Sequence, residues 1–303
     1  MTSAPVNLMS MIERYGKDDD CREALKHLRW PDGVKCLRCQ SEKVAPVATR
    51  DVYVCYSCQY QFSVIVGTIF QDTHLPLTTW FFVTYLITES RKGISANQIK
   101  RMLGISYKTA WYLCHRIRAA MKEAEHKLTG TVEVDETYIG GKIHSRKRQW
   151  ENKTPVIGIR ERGGHLHLIR ANEATQAQVN EIMARNIGKT VDVIMTDESR
   201  LYNFETTQYY KAKHKRVNHS ADEYVRYEKG MCVTTNAIES AFSLLKRGIV
   251  GTWHQVSAKH LQAYLQEMTW RFNNRKNPHL FRDTMQKLIQ SGNIEYKELT
   301  KAA

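Results

Sequence analysis

Four cysteines near the N-terminus are the residues whose type and spacing most clearly predict chemistry. They form two C-x2-C pairs separated by fifteen residues, namely Cys36, Cys39, Cys55 and Cys58. This spacing is typical of a zinc ribbon. Four thiolates can close a tetrahedron around one Zn2+, and a closed site of this kind is structural because it leaves no position open for a reacting molecule.

Two other interpretations of these cysteines are weaker. Two disulfides would need an oxidising compartment, and the first thirty residues hold no apolar signal segment. A thioredoxin-like redox pair would account for one C-x2-C pair but not for both. The remaining cysteines have no partner at ligand spacing, and we expect them to be small buried side chains; they are Cys21, Cys114 and Cys232.

Three acidic residues stand at the ends of predicted elements in the C-terminal half. Asp135 lies near the end of a predicted strand, Asp197 just past the end of another, and Glu239 near the start of a helix. Ligands gather beyond the strand ends of α/β sheets, so these side chains can converge. Clustered carboxylates resist joint ionisation and need a divalent cation, although carboxylates alone do not distinguish Mg2+ from Mn2+. Two such ions about 4 Å apart can activate a nucleophile and stabilise the leaving oxygen of a phosphodiester.

Solvated surface acids are the alternative for this triad, because the chain holds 31 acidic residues. Strand alternation places Asp135 opposite Glu136 without showing which of them faces a site. Three further neighbours could be mistaken for ligands, namely Glu133, Asp192 and Glu198. Lys246 follows Glu239 by seven residues, which on a helix brings it within about 20° of the same face. A cation there can hold a DNA phosphate beside the metal site.

Composition and charge narrow the class of protein. The 303 residues have room for two or three small domains. The formal net charge of +14 and the pI of about 9.4 favour a polyanionic partner. Lysine and arginine cluster at residues 142–153 and 211–216, although either run could be only a solvated loop. The longest apolar run, residues 80–87, is too short to span a bilayer, so we predict a soluble, cytoplasmic protein without a membrane partner.

The region between the cysteines and the acidic residues is predicted to be helical. Ser95 and Gln98 form a capping-box pattern before a helix over residues 96–103, which ends at Gly104, and Ser106 can cap a second helix. This arrangement, with a basic outer face, is typical of a helix-turn-helix that reads a DNA major groove. Many helical hairpins share the pattern without binding DNA. The side chains predicted to contact DNA are Lys108, Thr109, Tyr112 and Arg116.

From Thr131 onward the hydrophobic period changes to that of strands. Predicted strands cover residues 131–139, 155–160, 165–170 and 191–195, and predicted helices cover residues 175–186, 236–246 and 257–273. Three strands, a helix, another strand and further helices predict a mixed α/β layer. The segment after about residue 291 is polar.

Several motifs resemble those of bacterial insertion-sequence transposases that carry an N-terminal zinc ribbon and an ISXO-like catalytic domain. Residues 134–142 (VDETYIGGK) resemble the first catalytic strand of that family, and residues 195–198 (MTDE) resemble its second acidic motif. Residues 235–248 (TNAIESAFSLLKRG) resemble the third. Matching positions also occur in the helix-turn-helix region, so the resemblance extends over about residues 20–275.

This resemblance implies an α/β fold in which a ribonuclease-H-like catalytic core follows a zinc ribbon and a helix-turn-helix. We expect N-terminal helices and the ribbon over residues 1–70, the helical DNA-binding region over 71–127, the catalytic domain over 128–285 and a polar tail over 286–303. The resemblance makes Asp135, Asp197 and Glu239 a DDE triad for two Mg2+ or Mn2+ ions, with Lys246 as the accompanying basic residue. Lys246 and Arg247 are then further DNA contacts. Thr234 stands where many relatives have a histidine, so no histidine role is carried over to that position.

The function implied by the resemblance is DNA transposition. The ribbon and the helix-turn-helix would bind the terminal inverted repeats of the element, metal-dependent hydrolysis would free a 3′-OH, and that hydroxyl would attack target DNA. Two element ends must be joined, so we expect a homodimer or higher oligomer on double-stranded DNA at the bacterial nucleoid. Two alternatives are a DNA-binding regulator with an inert ribonuclease-H-like domain, against which the intact triad argues, and a structure-selective nuclease that cuts without joining strands.

Overall fold

The computed structural model describes residues 5–123, 126–141, 153–202 and 213–301. The chain divides into two compact units, the first made of Met1–Met121 with Lys276–Ala303 and the second of Lys122–Arg275. The α-helices are α1 (Leu8–Tyr15), α2 (Asp18–Arg29), α3 (Leu77–Glu89), α4 (Ala96–Leu103), α5 (Tyr107–Ala120), α6 (Gln176–Asn186), α7 (Asn236–Gly248), α8 (Ala258–Asn273), α9 (Leu280–Gln290) and α10 (Tyr296–Thr300). The strands are β1 (Val44–Pro46), β2 (Tyr53–Cys55), β3 (Gln61–Phe62), β4 (Leu128–Ile139), β5 (Thr154–Glu161), β6 (Leu166–Arg170), β7 (Ile187–Thr196), β8 (His214–Arg216), β9 (Arg226–Glu228) and β10 (Met231–Val233).

The first unit contains a small antiparallel sheet in the order β1–β2–β3, flanked by two tight turns that carry the cysteine pairs. In each turn the backbone N–H of a glutamine donates to the carbonyl of the first cysteine: Gln40 to Cys36 at 3.0 Å and Gln59 to Cys55 at 2.8 Å. Both glutamines adopt the left-handed conformation, with φ of 60° and 58°. The two turns therefore have the same backbone geometry, which lets both cysteine pairs present their sulfur atoms to one point.

Aromatic rings hold the helices of the first unit together. The ring centroid of Phe281 in α9 lies 5.9 Å from that of Tyr15 in α1 and 6.0 Å from that of Phe81 in α3. All three side chains are buried. Such ring pairs stabilise a core beyond the apolar area that they bury. A C-terminal helix is therefore part of the same core as the N-terminal helices.

Helix α4 begins and ends, and α5 begins, where their capping residues predict. The Ser95 side chain accepts a hydrogen bond from the Gln98 N–H at 3.1 Å, and the Ser106 hydroxyl accepts one from the Thr109 N–H at 3.1 Å. Gly104 ends α4 in the left-handed conformation, with φ of 66°. These bonds satisfy backbone groups that a helix end leaves without partners. The helix, turn and helix are present as predicted, and their contact with DNA stays a prediction.

The second unit is built on a five-stranded sheet in the order β6–β5–β4–β7–β8. The pairs β6–β5 and β5–β4 are antiparallel, whereas β4–β7 and β7–β8 are parallel. Three antiparallel strands followed by two parallel ones, with the first strand at the centre, form the sheet of a ribonuclease-H-like core. The predicted fold class is confirmed.

Helices cover both faces of this sheet. On one face α6 packs over the β4 and β7 strands, in a cluster that includes Val132, Val134, Val179, Met183, Val191 and Ile194. On the other face α7 and α8 pack over β5 and β6, in a cluster that includes Val156, Leu168, Ile238, Phe242, Leu261 and Leu265. Alternate residues of one strand thus reach different layers. The layer to which each acidic side chain belongs follows from its position in the strand.

The structure differs from the predicted organisation in three respects. Residues 276–303, including α9 and α10, belong to the first unit rather than to a catalytic domain ending at 285 and a polar tail. Residues 214–216 of the 211–216 basic run form strand β8 at the sheet edge, and a two-stranded sheet of β9 and β10 follows it. Residues 142–152 of the other basic run lie outside the described residues. Among the described residues, every helix is too short or too polar to cross a membrane.

Candidate active site

Three carboxyl groups meet at the end of β7, where the sheet opens between its central strands. Asp135 and Glu136 are consecutive residues of β4, and Asp197 directly follows β7. One ligand oxygen of each lies within 4.8 Å of those of the other two. The structure therefore brings together two members of the predicted triad, with Glu136 as a third acid.

The pairing of β4 explains why two consecutive side chains reach the same place. Glu133 is the last residue of β4 that pairs with β7, opposite Met195. Beyond it, β4 pairs only with β5, which contacts its other edge. Asp135 and Glu136 still point to opposite faces of the sheet, as alternation requires. Because no strand among the described residues covers this edge, both carboxyl groups can approach Asp197 around it.

Burial and mutual repulsion hold protons in this cluster. Burial, together with the charges of Glu136 and Asp197, raises the pKa of Asp135 to about 8. Burial likewise raises the pKa of Asp197 and that of Glu136. The buried Tyr202 hydroxyl donates a hydrogen bond to Glu136. Such a cluster becomes fully ionised only when a positive charge compensates it, and a hard divalent cation with oxygen ligands fits that requirement.

Glu239 flanks the cluster from the first turn of α7. Its charge contributes to the raised pKa of Asp135, but its oxygens are not among those within 4.8 Å of one another. The Thr235 hydroxyl donates to Glu239 Oε1 at 2.8 Å, and His219 Nε2 lies 3.6 Å from the same oxygen. The Glu239 side chain is 40% exposed. Glu239 is therefore held beside the cluster by local contacts and stays accessible from outside.

The neighbouring acids have different surroundings. Glu198 accepts hydrogen bonds from the N–H groups of His219 and Ser220, at 2.9 and 3.0 Å. A hydrogen bond from the Ser220 hydroxyl contributes most, and together with these two bonds it lowers the pKa of Glu198 to about 2. Asp192 is exposed on β7, and Glu133 is buried in an ion pair with Arg162 at 2.9 Å. None of these three belongs to the acidic cluster found among the described residues.

Lys246 and Arg247 are exposed in the last turn of α7. Seven residues of α-helix separate Lys246 from Glu239, a rise of about 10 Å along nearly the same face. Arg247 donates to the Ser243 carbonyl at 3.1 Å. Both cations are accessible, and their contact with DNA stays a prediction.

The second site is the cysteine cluster of the first unit. The four sulfur atoms all lie within 4.8 Å of one another. The Cys36–Cys58 and Cys39–Cys55 sulfurs are each 3.6 Å apart. A tetrahedral site with Zn–S bonds of about 2.3 Å places its sulfurs about 3.8 Å apart. The arrangement of the four cysteines therefore fits one Zn2+ ion.

The backbone around Cys36 favours a thiolate. Burial alone would raise the pKa of the Cys36 thiol, but hydrogen bonds from the N–H groups of Cys39 and Arg38, together with those from the Cys58 and Cys39 thiols, lower it to about 6. The Arg38 N–H lies 3.4 Å from the Cys36 sulfur. Because the thiolate is the form that binds metal, these N–H groups prepare the cluster for zinc.

The structure contradicts the interpretation of Arg116 as a DNA contact. Arg116 is only 4% exposed, and its guanidinium lies 4.9 Å from the centre of the Trp80 ring. It donates to the carbonyl of Ile69 and, at 2.6 Å, to the Asn293 side chain. These contacts hold α5 against the rest of the first unit, so this guanidinium cannot reach a phosphate.

Tyr112 is also engaged by the C-terminal segment, whereas the start of α5 is open. The half-buried Tyr112 donates its hydroxyl to the Ile294 carbonyl at 3.0 Å. Lys108 is exposed, with its ammonium 5.0 Å from the centre of the Tyr296 ring. Thr109 is partly buried and belongs to the helix cap. Of the four predicted DNA contacts on α5, Lys108 is the one whose side chain is exposed to solvent.

Three residues of the acidic site were not singled out as site residues from the sequence. The sequence pattern marks Glu136 only as a neighbour of Asp135, and it does not indicate Tyr202 or His219. The one local signal was the doubled acid at 135–136. Tyr202 and His219 reach the site only through the fold, since each contacts an acid from another element.

Comparisons with known proteins agree with this geometry. Residues 127–273 match the model of the ISXO2-like transposase domain, and residues 16–61 match that of the transposase zinc-ribbon domain. Together the two matches cover more than half of the chain. The chain is also 28% identical, over 279 residues, to an uncharacterized protein in the transposable element ISH50 of Halobacterium salinarum; the match covers 85% of this chain and 92% of that protein.

Among solved structures, one similar chain belongs to a simian T-cell lymphotropic virus intasome in complex with the PP2A regulatory subunit B56 gamma. The match covers 68% of this chain and 71% of that chain, with 11% sequence identity and a TM-score of 0.27. A similarity this low carries no argument about fold or function. The two domain matches occur in the predicted order and contain the cysteine cluster and the acidic cluster, respectively. The chain therefore belongs to the insertion-sequence DDE transposases with a zinc ribbon and an ISXO2-like catalytic domain.

Proposed function

We propose that this protein binds the terminal inverted repeats of its insertion element, cleaves the DNA there and joins the freed 3′-OH to target DNA. The observation that carries the proposal is the meeting of Asp135, Glu136 and Asp197 within 4.8 Å, with Glu239 beside them. Acids with raised pKa values at one point of a sheet are typical of a functional site rather than of a solvated surface.

In this proposal Asp135, Asp197 and Glu239 hold two Mg2+ or Mn2+ ions. Their fit rests on the donor set, which consists of oxygen ligands that repel one another until a cation binds. When bound, such ions supply a nucleophile at neutral pH and stabilise the leaving oxygen of a phosphodiester. Asp135 holds a proton in the metal-free protein at neutral pH, since its pKa is about 8. It must release that proton to become a ligand.

The other residues of the chain bind and orient DNA. Lys246 and Arg247 lie exposed on the helix that carries Glu239, where they can hold the phosphates that flank the reacting one. Lys108 is exposed near the start of α5, the position from which a recognition helix contacts base edges or phosphates. The net charge of +14 favours binding to DNA through counterion release. The zinc-loaded ribbon would contribute to the same binding.

Because two element ends must be joined, the active form in this proposal is a homodimer or a higher oligomer on DNA. It acts where chromosomal DNA lies, which in a bacterium is the nucleoid. Light scattering on the purified protein mixed with DNA of one element end, or of two linked ends, measures the mass of each complex and so tests the oligomeric state. One protein chain per two-end complex would refute it.

The main test is cleavage of labelled duplex DNA from the ends of the element that encodes this chain, with Mg2+ and with EDTA. Native protein should nick the ends and then form joined products with Mg2+ only. Glu239→Gln should lose several kcal/mol of transition-state stabilisation, a fall of about 100- to 1,000-fold in rate. It should still bind the ends. Asp192→Asn is the matched control, because Asp192 is an exposed acid on β7, and it should cleave like the native protein.

Three other results would point elsewhere. Tight, salt-sensitive binding of the ends without cleavage would favour the DNA-binding regulator. Cleavage of branched DNA without regard to the element ends, and without joining, would favour a structure-selective nuclease. Native-like nicking by Glu239→Gln would show that this triad is not the one that works.

A further inference from the structure

The acid nearest to the triad in sequence is completely buried. Glu133 stands two residues before Asp135 on β4, and none of its surface is exposed. A buried carboxylate is costly unless hydrogen bonds and an opposite charge compensate it. All of its contacts described here join it to elements that border the acidic site.

The first contact is with the start of α7. Glu133 Oε2 accepts hydrogen bonds from the N–H groups of Ala237 at 2.8 Å and Ile238 at 3.1 Å. These are the second and third residues of the helix, whose N–H groups an N-cap side chain normally binds. A negative charge there is also favoured by the helix dipole. A residue of the catalytic strand therefore caps the helix that carries Glu239.

This cap leaves the N-cap residue available for another bond. Thr235 makes no side-chain capping bond at its own helix. Its hydroxyl instead donates to Glu239 Oε1 at 2.8 Å. Thr234 completes the helix start, because its hydroxyl accepts from the Asn236 N–H at 3.2 Å. The carboxylate of Glu239 is thus oriented by a hydroxyl that Glu133 has released from capping.

The second contact of Glu133 joins two further strands. Glu133 Oε1 accepts from Arg162 Nε at 3.2 Å and from Arg162 Nη2 at 2.9 Å. Arg162 also donates to the Cys232 carbonyl at 2.8 Å and lies 3.2 Å from the Met195 sulfur. Met195 is two residues before Asp197 on β7. Arg162 and Glu133 therefore connect the strand of Asp135, the strand that ends just before Asp197 and the strand that leads into α7.

We infer that Glu133 is a positioning residue that fixes Glu239 relative to Asp135 and Asp197, and that it acts together with Arg162 and Thr235. The inference rests on the proposed function, since it assigns how the third acid of that same site is held. Glu133 touches neither substrate nor metal in this role. Loss of its carboxylate should weaken divalent-metal binding at the acidic site while the DNA-binding surfaces stay intact.

The test measures Mn2+ binding to the full-length, zinc-loaded protein without DNA, by electron paramagnetic resonance. Mn2+ that binds to the native protein but not to Asp135→Asn is taken as the Mn2+ bound at the acidic site. Glu133→Gln should raise the dissociation constant by about 10- to 100-fold, the range found when partners of metal ligands are removed. A glutamine offers one acceptor oxygen in place of two, so it cannot serve both the α7 N–H groups and the Arg162 fork.

Two controls separate positioning from general damage. Glu267→Gln removes another fully buried carboxylate, which pairs with Arg271 at 3.1 Å within α8. It should lower the melting temperature without changing the Mn2+ dissociation constant. Thr235→Val removes only the hydroxyl that binds Glu239 and should raise that constant, whereas Thr235→Ser keeps the hydroxyl and should restore native binding. The threonine pair decides the question if Glu133→Gln does not fold.

The outcomes distinguish this inference from the proposed function. Native Mn2+ affinity in both Glu133→Gln and Thr235→Val, with Asp135→Asn and Glu239→Gln defective, would overturn the inference and leave the proposed function standing. No Asp135-dependent Mn2+ binding in the native protein, together with no cleavage of element ends, would overturn both. Weakened binding in Glu133→Gln and Thr235→Val, with Glu267→Gln unaffected, would support the positioning role.

Discussion

Gly158 gives a direct test of how α7 is seated on the sheet. It lies on β5 opposite Asp135 of β4. A Cβ atom at this position would lie 2.6 Å from Ile238 Cδ1 and 2.7 Å from two ring carbons of Phe242. Ile238 and Phe242 are 0% and 4% exposed, so neither side chain has open space to move into. The absence of a side chain at Gly158 lets the helix that carries Glu239 approach the strand that faces Asp135.

The substitution Gly158→Ala should therefore be destabilising. Overpacking of a filled core lowers the free energy of unfolding by about 1–3 kcal/mol. Alanine also lowers the conformational entropy of the unfolded chain, which raises the free energy of unfolding by about 0.4–1 kcal/mol. The net loss in the free energy of unfolding should be about 1–2 kcal/mol. Normal contacts between carbon atoms need about 3.5–4.0 Å, so α7 must move by about 1 Å. A displacement of that size at a reacting group can slow the reaction by about 100-fold.

Urea denaturation and cleavage of element ends, both at fixed zinc and magnesium concentrations, measure these effects. Gly251→Ala is the matched control, because a Cβ there would meet nothing within 4 Å. It should leave both stability and cleavage at native levels. If Gly158→Ala is as stable as the native protein and cleaves at the native rate, α7 is not seated against β5 as described, and the argument for the placement of Glu239 fails with it.

Four further predictions concern the acidic cluster, the zinc site and two residues of α5. The folded-state pKa of Asp135, about 8, lies above its usual 3.8, so the metal-free native state binds more protons than the unfolded state between these values. Stability measured by urea titration should fall as pH rises from 4 to 8, and Asp135→Asn should reduce this slope. Cys55→Ser should release zinc, detected with a chromogenic chelator, and increase hydrogen exchange across the ribbon sheet. Arg116→Ala should lower the free energy of unfolding by about 1–3 kcal/mol, because it leaves the carbonyl of Ile69 without this donor. Lys108→Ala should weaken binding to element ends in a gel-shift titration and change stability by less than about 0.5 kcal/mol.

Local signals in the sequence sufficed for the elements whose ends are fixed by their own residues. Ser95 and Gly104 predict the bounds of α4 and Ser106 predicts the start of α5, because caps and left-handed glycines act within one turn of the chain. The four cysteines predicted their own cluster for the same reason, since each pair lies on one tight turn. Strand β8, with the short polar sequence His214–Arg216, was not predicted, because it pairs with β7 at the sheet edge through backbone groups that any residue provides.

Contacts between distant residues account for what the sequence did not show. The basic side of α5 was interpreted as an outer face, but Asn293, 177 residues further along, accepts from Arg116. Strand alternation separated Glu136 from Asp135, whereas the end of the β4–β7 pairing lets both approach Asp197. Glu133 was set aside as a neighbour of the triad, and its role as a cap depends on α7, more than one hundred residues away. No periodicity within one element carries such information.

The discontinuous first unit has a consequence for synthesis of the protein. Its core needs Phe281 of α9 against Tyr15 and Phe81 near the N-terminus. The ribosome has therefore made the whole second unit, Lys122–Arg275, before the first unit can close. A chain that stops just after residue 275, through a nonsense mutation or a frameshift, contains the residues of the second unit but lacks α9, which completes the core of the first unit. If the first unit binds the element ends, as in the proposed function, such truncated chains should bind those ends poorly, and only a full-length chain has both units complete.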